Sequence, residues 1–196
     1  MTPLQITVVG VAAVLVFWAV GAYNRLMQLR NAILRSFVPL AEQLYLRHAL
    51  LHRQLDALAP LLPEHTDALS AVRGACTQAQ AAATHARAHP GARGALNSLR
   101  LAEDILLDTR ARLPGAWPEA TAVVAPLEAT AATALTATTA ATTPSELGMQ
   151  VAATEVALQF ARARFNESVN EYNRAVQQFP TWVLARLFGF RAAGTL

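Results

Sequence analysis

Two pairs of histidines have a spacing that could bind a metal ion. His48 and His52, like His85 and His89, are four residues apart, so both rings of a pair would lie on one face of a helix. A transition metal needs at least one further ligand, and neither pair has the glutamate or cysteine of a pattern such as H-E-x-x-H. We interpret these histidines as solvated or helix-terminal side chains and expect no bound metal.

The other candidates for catalysis are weaker. Glu103, Asp104 and Asp108 have the spacing of an ordinary helix surface. Cys76 lies among small residues, which favours a packed side chain over a reactive thiol. The sequence contains no glycine-rich phosphate loop, nucleophile elbow or dinucleotide-binding fingerprint. We therefore expect a protein that is not an enzyme and that needs no cofactor.

The dipeptide Tyr-Asn occurs twice, as Tyr23-Asn24 and as Tyr172-Asn173. If the first and last helices are antiparallel, the two pairs lie near each other. Buried polar groups need partners and can fix the alignment of helices, and we prefer this structural interpretation. The alternative is a ligand pocket formed where the two pairs converge.

The elements that position these residues begin with an apolar segment. Residues 4–22 carry no charge, and a helix of that length reaches about 28 Å, close to the hydrocarbon thickness of a bilayer. Trp18 and Tyr23 lie near one end of it, where amphipathic aromatic residues suit the membrane interface. We predict a transmembrane anchor. A cleaved signal peptide is the alternative, and the long apolar run without a basic residue before it disfavours that alternative.

The residues that follow the anchor are basic. Arg25, Arg30 and Arg35 precede the first acidic residue, Glu42, so the positive-inside rule predicts an N-terminus outside and a cytoplasmic body. The net charge of +3 is small and the arginines are spread along the chain, whereas a nucleic-acid binder shows a concentrated basic face. We therefore expect the lipid bilayer, and no nucleic acid, as a partner.

Helical periodicity continues beyond the anchor. We predict one helix as far as the prolines at 60 and 63, with Pro39 as the candidate position of a kink. Further helices are predicted over residues 64–88 and 92–112, separated by a Pro90-Gly91 turn. The apolar stripe of the first helix consists of Leu26, Leu29, Ile33, Phe37, Leu40, Leu44, Leu51, Leu55 and Leu58.

The last predicted helix has the clearest start. Thr143, Pro144 and Glu146 form a capping box with proline at the first helical position. The preceding residues, 119–143, are rich in alanine and threonine, and we interpret them as a weak helix, with a low-complexity linker as the alternative. A heptad-like stripe, typical of coiled-coil packing, runs to Pro180 through Leu147, Val151, Thr154, Leu158, Ala161, Phe165, Val169, Tyr172, Val176 and Phe179.

Both ends of the chain resemble the LemA family. Near the C-terminus the matching residues are Phe160-Ala161-Arg162, Phe165-Asn166, Val169, Tyr172-Asn173, Phe179-Pro180, Ala185 and Phe188-Gly189-Phe190. Near the N-terminus they are Tyr23-Asn24-Arg25, Asn31, Phe37, Leu40, Gln43, Leu44 and Arg47. Two positions depart from the family pattern, since Ala41 replaces an acidic residue and His52 replaces a proline.

The resemblance implies an all-α fold on the bacterial inner (cytoplasmic) membrane. A single N-terminal transmembrane helix, residues 4–22, would continue into an elongated antiparallel bundle of four to five helices, residues 23–179, followed by an apolar tail, residues 180–196. We expect structural roles for the family-motif residues, which are Tyr23, Asn24, Asn31, Gln43, Arg47, Arg162, Asn166, Tyr172, Asn173, Phe179 and Pro180.

The tail is apolar on most sides. We expect it to lie on the membrane surface or against a second copy of the chain, and the base of the bundle is the alternative position. Its candidate interface residues are Trp182, Leu184, Leu187, Phe188 and Phe190. The resulting hypothesis is a non-catalytic scaffold that forms homo-oligomers and organises or remodels the membrane. A membrane-tethered sensor or adaptor for a soluble protein is the alternative.

Overall fold

The computed structural model describes residues 3–112 and 143–196, and these ranges form an all-α bundle, as predicted. They contain no strand. The helices are α1 (Pro3–Leu58), α2 (Thr66–Ala88), α3 (Arg93–Ala111), α4 (Pro144–Gln177) and α5 (Thr181–Leu187), and a short 3₁₀ turn, Pro63–His65, precedes α2.

Helix α1 extends over 56 residues and passes through Pro39 without interruption. Its first part is apolar and long enough to cross a membrane, and none of its most apolar window is buried inside the protein. From Leu26 onward the predicted stripe is buried, apart from the partly buried Leu29. Within the described residues, the same helix therefore has an exposed apolar part and a part that forms the centre of the bundle.

The helices alternate in direction. Helix α1 packs against α4 and α2, and α2 packs against α3. The core residues fall into two clusters. The cluster near the anchor joins Leu26–Leu44 of α1 to the later part of α4, and the distal cluster joins Leu50–Leu58 to the start of α4. Helix α4 therefore begins at the far end and returns towards the anchor, which is the predicted antiparallel arrangement.

The capping box at the start of α4 is confirmed. The backbone N–H of Glu146 donates to Thr143 Oγ1 at 3.3 Å, and the backbone N–H of Thr143 donates to Glu146 Oε2 at 2.9 Å. Pro144 occupies the first turn. The other predicted residues of the 119–143 segment lie outside the described part of the chain.

The predicted α4 stripe is buried as far as Val176, but Phe179 is exposed. The helix ends at Gln177, so Phe179 no longer follows helical spacing, and its inclusion in the stripe was wrong. A cis peptide bond joins it to Pro180, which is the N-cap residue of α5.

Residues 189–196, which we call the C-terminal strap, turn back along α4 after α5. Gly189 has a φ of +73°, a left-handed conformation that glycine adopts without steric cost. Gly194 lies against α3, where an added Cβ would come within 3.1 Å of the Arg93 Cα atom and 3.3 Å of the Leu96 Cδ1 atom. A side chain at 194 would therefore be crowded against α3, because the strap backbone approaches that helix closely.

Candidate functional site

A cluster of ionisable side chains is centred inside the bundle, and we call Arg47, His48, Glu103 and the partly exposed Glu155 the buried charge cluster. Arg47 is 2% exposed and His48 is 0% exposed. Both residues follow Leu44 by three or four positions, so they lie on the buried face of α1. The apolar stripe of α1 is therefore interrupted at its middle by a cation and an imidazole.

The cluster links three helices. One Glu103 oxygen, from α3, forms an ion pair with Arg47 Nη2, and the other lies 2.9 Å from His48 Nε2. Arg47 Nη1 donates to Glu155 Oε2 of α4 at 3.2 Å. Because α3 and α4 share no close backbone contact, Arg47 is a direct polar connection between them.

Burial determines the protonation state of His48. Burial first, and then the neighbouring Arg47 charge, lower the pKa of His48 from its ordinary 6.5 to about 3. The ring is therefore neutral at pH 7. A neutral ring has one N–H, and the short contact to Glu103 places it on Nε2, which donates to the carboxylate. Burial also lowers the pKa of Arg47, while Glu155 opposes that shift.

The sequence-based interpretation of two of these residues was wrong. Glu103 was assigned to the helix surface, but it follows Leu99 by four residues and precedes Leu106 by three, so it lies on the buried stripe of α3. His48 was interpreted as solvated, yet it follows Leu44 on α1 in the same way. Both residues have the helical spacing of the buried stripes. They were assigned to the surface because polar residues are usually exposed.

Lowering the pH from 7 towards 4 is expected to destabilise the fold through His48. The pKa in the folded state lies below 6.5, so the unfolded chain takes up the proton first. The stabilisation is present above pH 6.5 and is lost as the pH falls towards 3, by up to about 1.4 kcal/mol per pH unit for one proton. Denaturant titrations of wild type and His48→Gln between pH 7 and 4 measure the difference in slope.

The control for this prediction is His85→Gln, because His85 is exposed. Its pH dependence should match that of wild type. A His48→Gln protein that loses stability with acid as steeply as wild type would contradict the assignment.

The histidine pairs are poorly placed to bind a metal ion. His48 Nε2 is hydrogen-bonded to Glu103, and His52 is partly buried. The rings of His85 and His89 lie 5.1 Å apart at the surface. Within residues 3–112 and 143–196, no three histidine, cysteine or carboxylate side chains are grouped to hold a metal ion. Cys76 is a buried free cysteine, as its surroundings predicted, and burial raises its pKa to about 11.

Two asparagines of α4 hold the C-terminal strap. The Asn173 side chain accepts from the backbone N–H of Ala193 at 2.8 Å and donates to the Ala193 carbonyl at 3.1 Å. Asn166 makes the same pair of bonds to Leu196, at 2.9 and 2.6 Å. The Tyr172 hydroxyl donates to the carbonyl of Arg191 at 3.0 Å. The backbone of the strap therefore forms hydrogen bonds with side chains of α4, in place of the hydrogen bonds that a neighbouring strand would provide.

Replacing Asn173 by alanine is expected to loosen the strap. The loss of two hydrogen bonds that are partly shielded from solvent should cost about 1–3 kcal/mol and increase amide hydrogen exchange in residues 191–196. Asn170→Ala, at an exposed position of the same helix, is the control and should change neither property. Equal exchange in the two variants would show that the asparagine does not hold the strap.

The two Tyr-Asn pairs serve different partners. Tyr172 and Tyr23 line one cavity, as the antiparallel arrangement implied. Asn24 is exposed, however, while Asn173 binds the strap. The expectation that the pairs fix the alignment of α1 with α4 is therefore replaced by a connection between α4 and the strap, because Tyr172 and Asn173 bind Arg191 and Ala193.

An aromatic cluster joins the end of the anchor to α5. The Tyr23 ring centroid lies 5.2 Å from that of Phe188 and 5.8 Å from that of Phe190. Leu184 is buried, which differs from its assignment as an interface residue, since it faces the bundle. The exposed residues that remain form what we call the α5 surface: Phe179, Trp182, Val183, Leu187 and Phe188.

The remaining family-motif residues do not converge on one place. Asn31 is exposed, Gln43 is partly buried beside α4, and Arg162 is partly buried next to the charge cluster. Sequence reasoning missed Glu103 and Glu155 as partners of Arg47. Ion pairs between residues of three different helices leave no pattern in the nearby sequence. The spacing of Glu103 along α3 did indicate that it is buried.

The family comparison agrees with the motif pattern. The model of the LemA family matches residues 133–196, which include α4, α5 and the strap. Comparison with curated proteins and with solved structures gives no match. The match confirms the resemblance that the C-terminal residues indicated, since residues 133–196 are similar to the LemA family.

Proposed function

We propose that this protein is a membrane-anchored scaffold, without catalytic activity, that self-assembles at the bacterial inner membrane and organises or remodels it. The observation that carries the proposal is the position of the α5 surface beside the end of the anchor. Two apolar regions, the first part of α1 and the α5 surface, are exposed in the described part of the chain and lie next to each other. A lipid environment accounts for both.

The geometry of Tyr23 supports this orientation. Tyr23 follows the apolar segment directly, so its ring marks the level at which α1 leaves the hydrocarbon region. Phe188 contacts that ring, and Leu187 beside it is 76% exposed. Arg186 lies 5.6 Å from the centre of the Trp182 ring. Exposed aromatic residues mixed with arginine are typical of a segment in the membrane interface.

Self-assembly is supported by further apolar residues on the outside of the bundle. Leu34, Val38 and Tyr45 are exposed along one side of α1, and Val156 and Phe160 are exposed on α4. Exposed apolar groups of this kind mark interfaces with proteins or membranes. They lie beyond the anchor, where lipid no longer covers them, so a second copy of the chain is the partner we propose. With the arginines at 25, 30 and 35 on the inner side, the bundle would face the cytoplasm.

The mass of the full chain in a mild detergent or a lipid nanodisc tests the assembly. We expect multiples of the 21.0 kDa protomer, and we expect Phe160→Glu to reduce them. Leu61→Glu is the control, because Leu61 is equally exposed but lies in the turn after α1. A single protomer mass in both environments would reject the scaffold. Crosslinking to one soluble protein instead would favour the adaptor alternative.

A further inference from the structure

A cavity of about 610 Å³ opens beside the end of the anchor, and neither the scaffold proposal nor the charge cluster uses it. Its walls come from the start of the bundle part of α1, from the α2–α3 turn and from the residues after α5. Tyr172 lies at its inner side, while Tyr23 and Phe188 line it towards the anchor. This volume is in the range of small-molecule sites.

The charged groups that line the cavity are all cationic or basic. Arg30 and Arg191 line it, His89 is at its edge, and the lining residues that the structure describes include no carboxylate. Neither guanidinium has an ion-pair partner in the described ranges, whereas Arg47 and Arg73 do. Burial raises the pKa of Tyr172 and the charge of Arg30 opposes that shift, which agrees with a position of Arg30 near the inner wall.

A helix terminus adds to the positive potential. Ala92, the N-cap residue of α3, lines the cavity, and no side chain caps this terminus. The first turn of α3 also contains no acidic residue. Its free N–H groups and the helix dipole favour an anion. Two guanidinium groups and this terminus therefore meet in one cavity, and no carboxylate from the described residues neutralises them there.

The position of the cavity along α1 corresponds to the lipid headgroup layer. Tyr23 lies at the end of the apolar segment, and Arg30 follows it by seven residues, about 10 Å along a helix. The headgroup layer extends roughly 5–8 Å beyond the hydrocarbon region. Side chains on a helix lean towards its N-terminus, so Arg30 reaches back into that layer.

We propose that this cavity binds the phosphate of an anionic phospholipid headgroup, held by Arg30 and Arg191. The exposed Phe188, which lines the cavity towards the anchor, would contact the glycerol and the first methylene groups, which a soluble phosphate lacks. The assignment rests on the membrane anchoring in the proposed function, but it does not require self-assembly.

Lipid titration of the full chain in a mild detergent, followed by native mass spectrometry, tests the assignment. We expect phosphatidylglycerol to bind more tightly than phosphatidylcholine of the same chain length. Arg30→Gln with Arg191→Gln should weaken phosphatidylglycerol binding at least about tenfold, since two charge-assisted contacts are lost. Arg25→Gln with Arg35→Gln removes the same charge from exposed positions outside the cavity and should have a much smaller effect.

A second variant adds a charge instead of removing one. Leu34→Glu places a carboxylate in the cavity wall and should also abolish the preference for phosphatidylglycerol. Val38→Glu, one turn further along α1 and outside the cavity, should keep it. Both positions are exposed, so the fold should survive, and circular dichroism checks this.

The outcomes separate the possible sources of phosphate. Unchanged binding by Arg30→Gln with Arg191→Gln, or equal loss in the Arg25 and Arg35 control, would overturn the site. Competition by inorganic phosphate at the same concentration as the lipid would overturn the lipid assignment and leave a soluble phosphate ligand. Recovery of the full chain in the soluble fraction of a cell extract, without detergent, would instead refute the membrane anchoring on which the proposed function depends.

Discussion

Replacing Glu103 by alanine is expected to lower the free energy of unfolding by about 3–5 kcal/mol, the usual cost of breaking a buried ion pair by removing one partner. Glu103 is 4% exposed and contacts both Arg47 and His48. Without it, the remaining acidic partner of Arg47 in the described part of the chain is Glu155, whose side chain is 34% exposed, and the His48 N–H loses its acceptor. The large effect comes from the uncompensated charge that remains inside the bundle.

Urea unfolding in a mild detergent measures this loss. Asp104→Ala is the matched control, since Asp104 is the exposed neighbour on α3 and its replacement should cost less than about 0.5 kcal/mol. A double-mutant cycle with Arg47→Met should show coupling, because removing both charges leaves less unpaired charge than removing one. If Glu103→Ala unfolds like Asp104→Ala, the charge cluster does not stabilise the bundle.

Replacing Phe165 by alanine is the second change with a large expected effect. Phe165 is fully buried on α4, and its ring packs edge-to-face on Phe37 of α1, with centroids 5.4 Å apart. Removal of a buried phenyl ring costs about 3–5 kcal/mol, because the lost transfer free energy is added to that of the cavity. The α1–α4 pairing makes the most extensive helix contact in the described part of the bundle, so the loss should affect the whole fold.

Met149→Ala provides the comparison for this change. Met149 belongs to the same helix and is 44% exposed, so its replacement should change the free energy of unfolding by less than about 0.5 kcal/mol. Similar urea midpoints for the two variants would mean that α4 does not pack on α1 through the face described here.

Much of the fold was predictable because it depends on local patterns. The stripe from Leu26 to Leu58 fixed the buried face of α1, and the Thr143 capping box located the start of α4. The Pro90-Gly91 turn separated α2 from α3. Each of these signals lies within a few residues of the feature that it predicts, so periodicity and capping rules were sufficient.

The candidate sites were harder to predict because their contacts are distant in sequence. Asn166 binds Leu196, 30 residues away, and Arg47 binds Glu155, 108 residues away. Such pairs have no periodic signal, and the polar type of Glu103 concealed a spacing that indicated burial. The strap has no regular structure of its own, so its position depends on the side chains of α4, on core packing by Ala193 and on the close approach of Gly194 to α3.

The depth of Trp182 in the bilayer decides whether α5 lies on the membrane beside the anchor. In a full-length Trp18→Phe, Trp117→Phe variant, Trp182 is the remaining tryptophan, and its fluorescence can be measured in vesicles with bromine-labelled acyl chains. If α5 lies on the membrane, bromine close to the headgroup should quench Trp182 strongly and bromine deep in the bilayer weakly. Leu101→Trp with Trp182→Phe, added to that background, moves the fluorophore to the exposed side of α3 and should remain unquenched. Equal fluorescence of Trp182 with and without bromine would contradict a bundle held against the bilayer by α1 and α5.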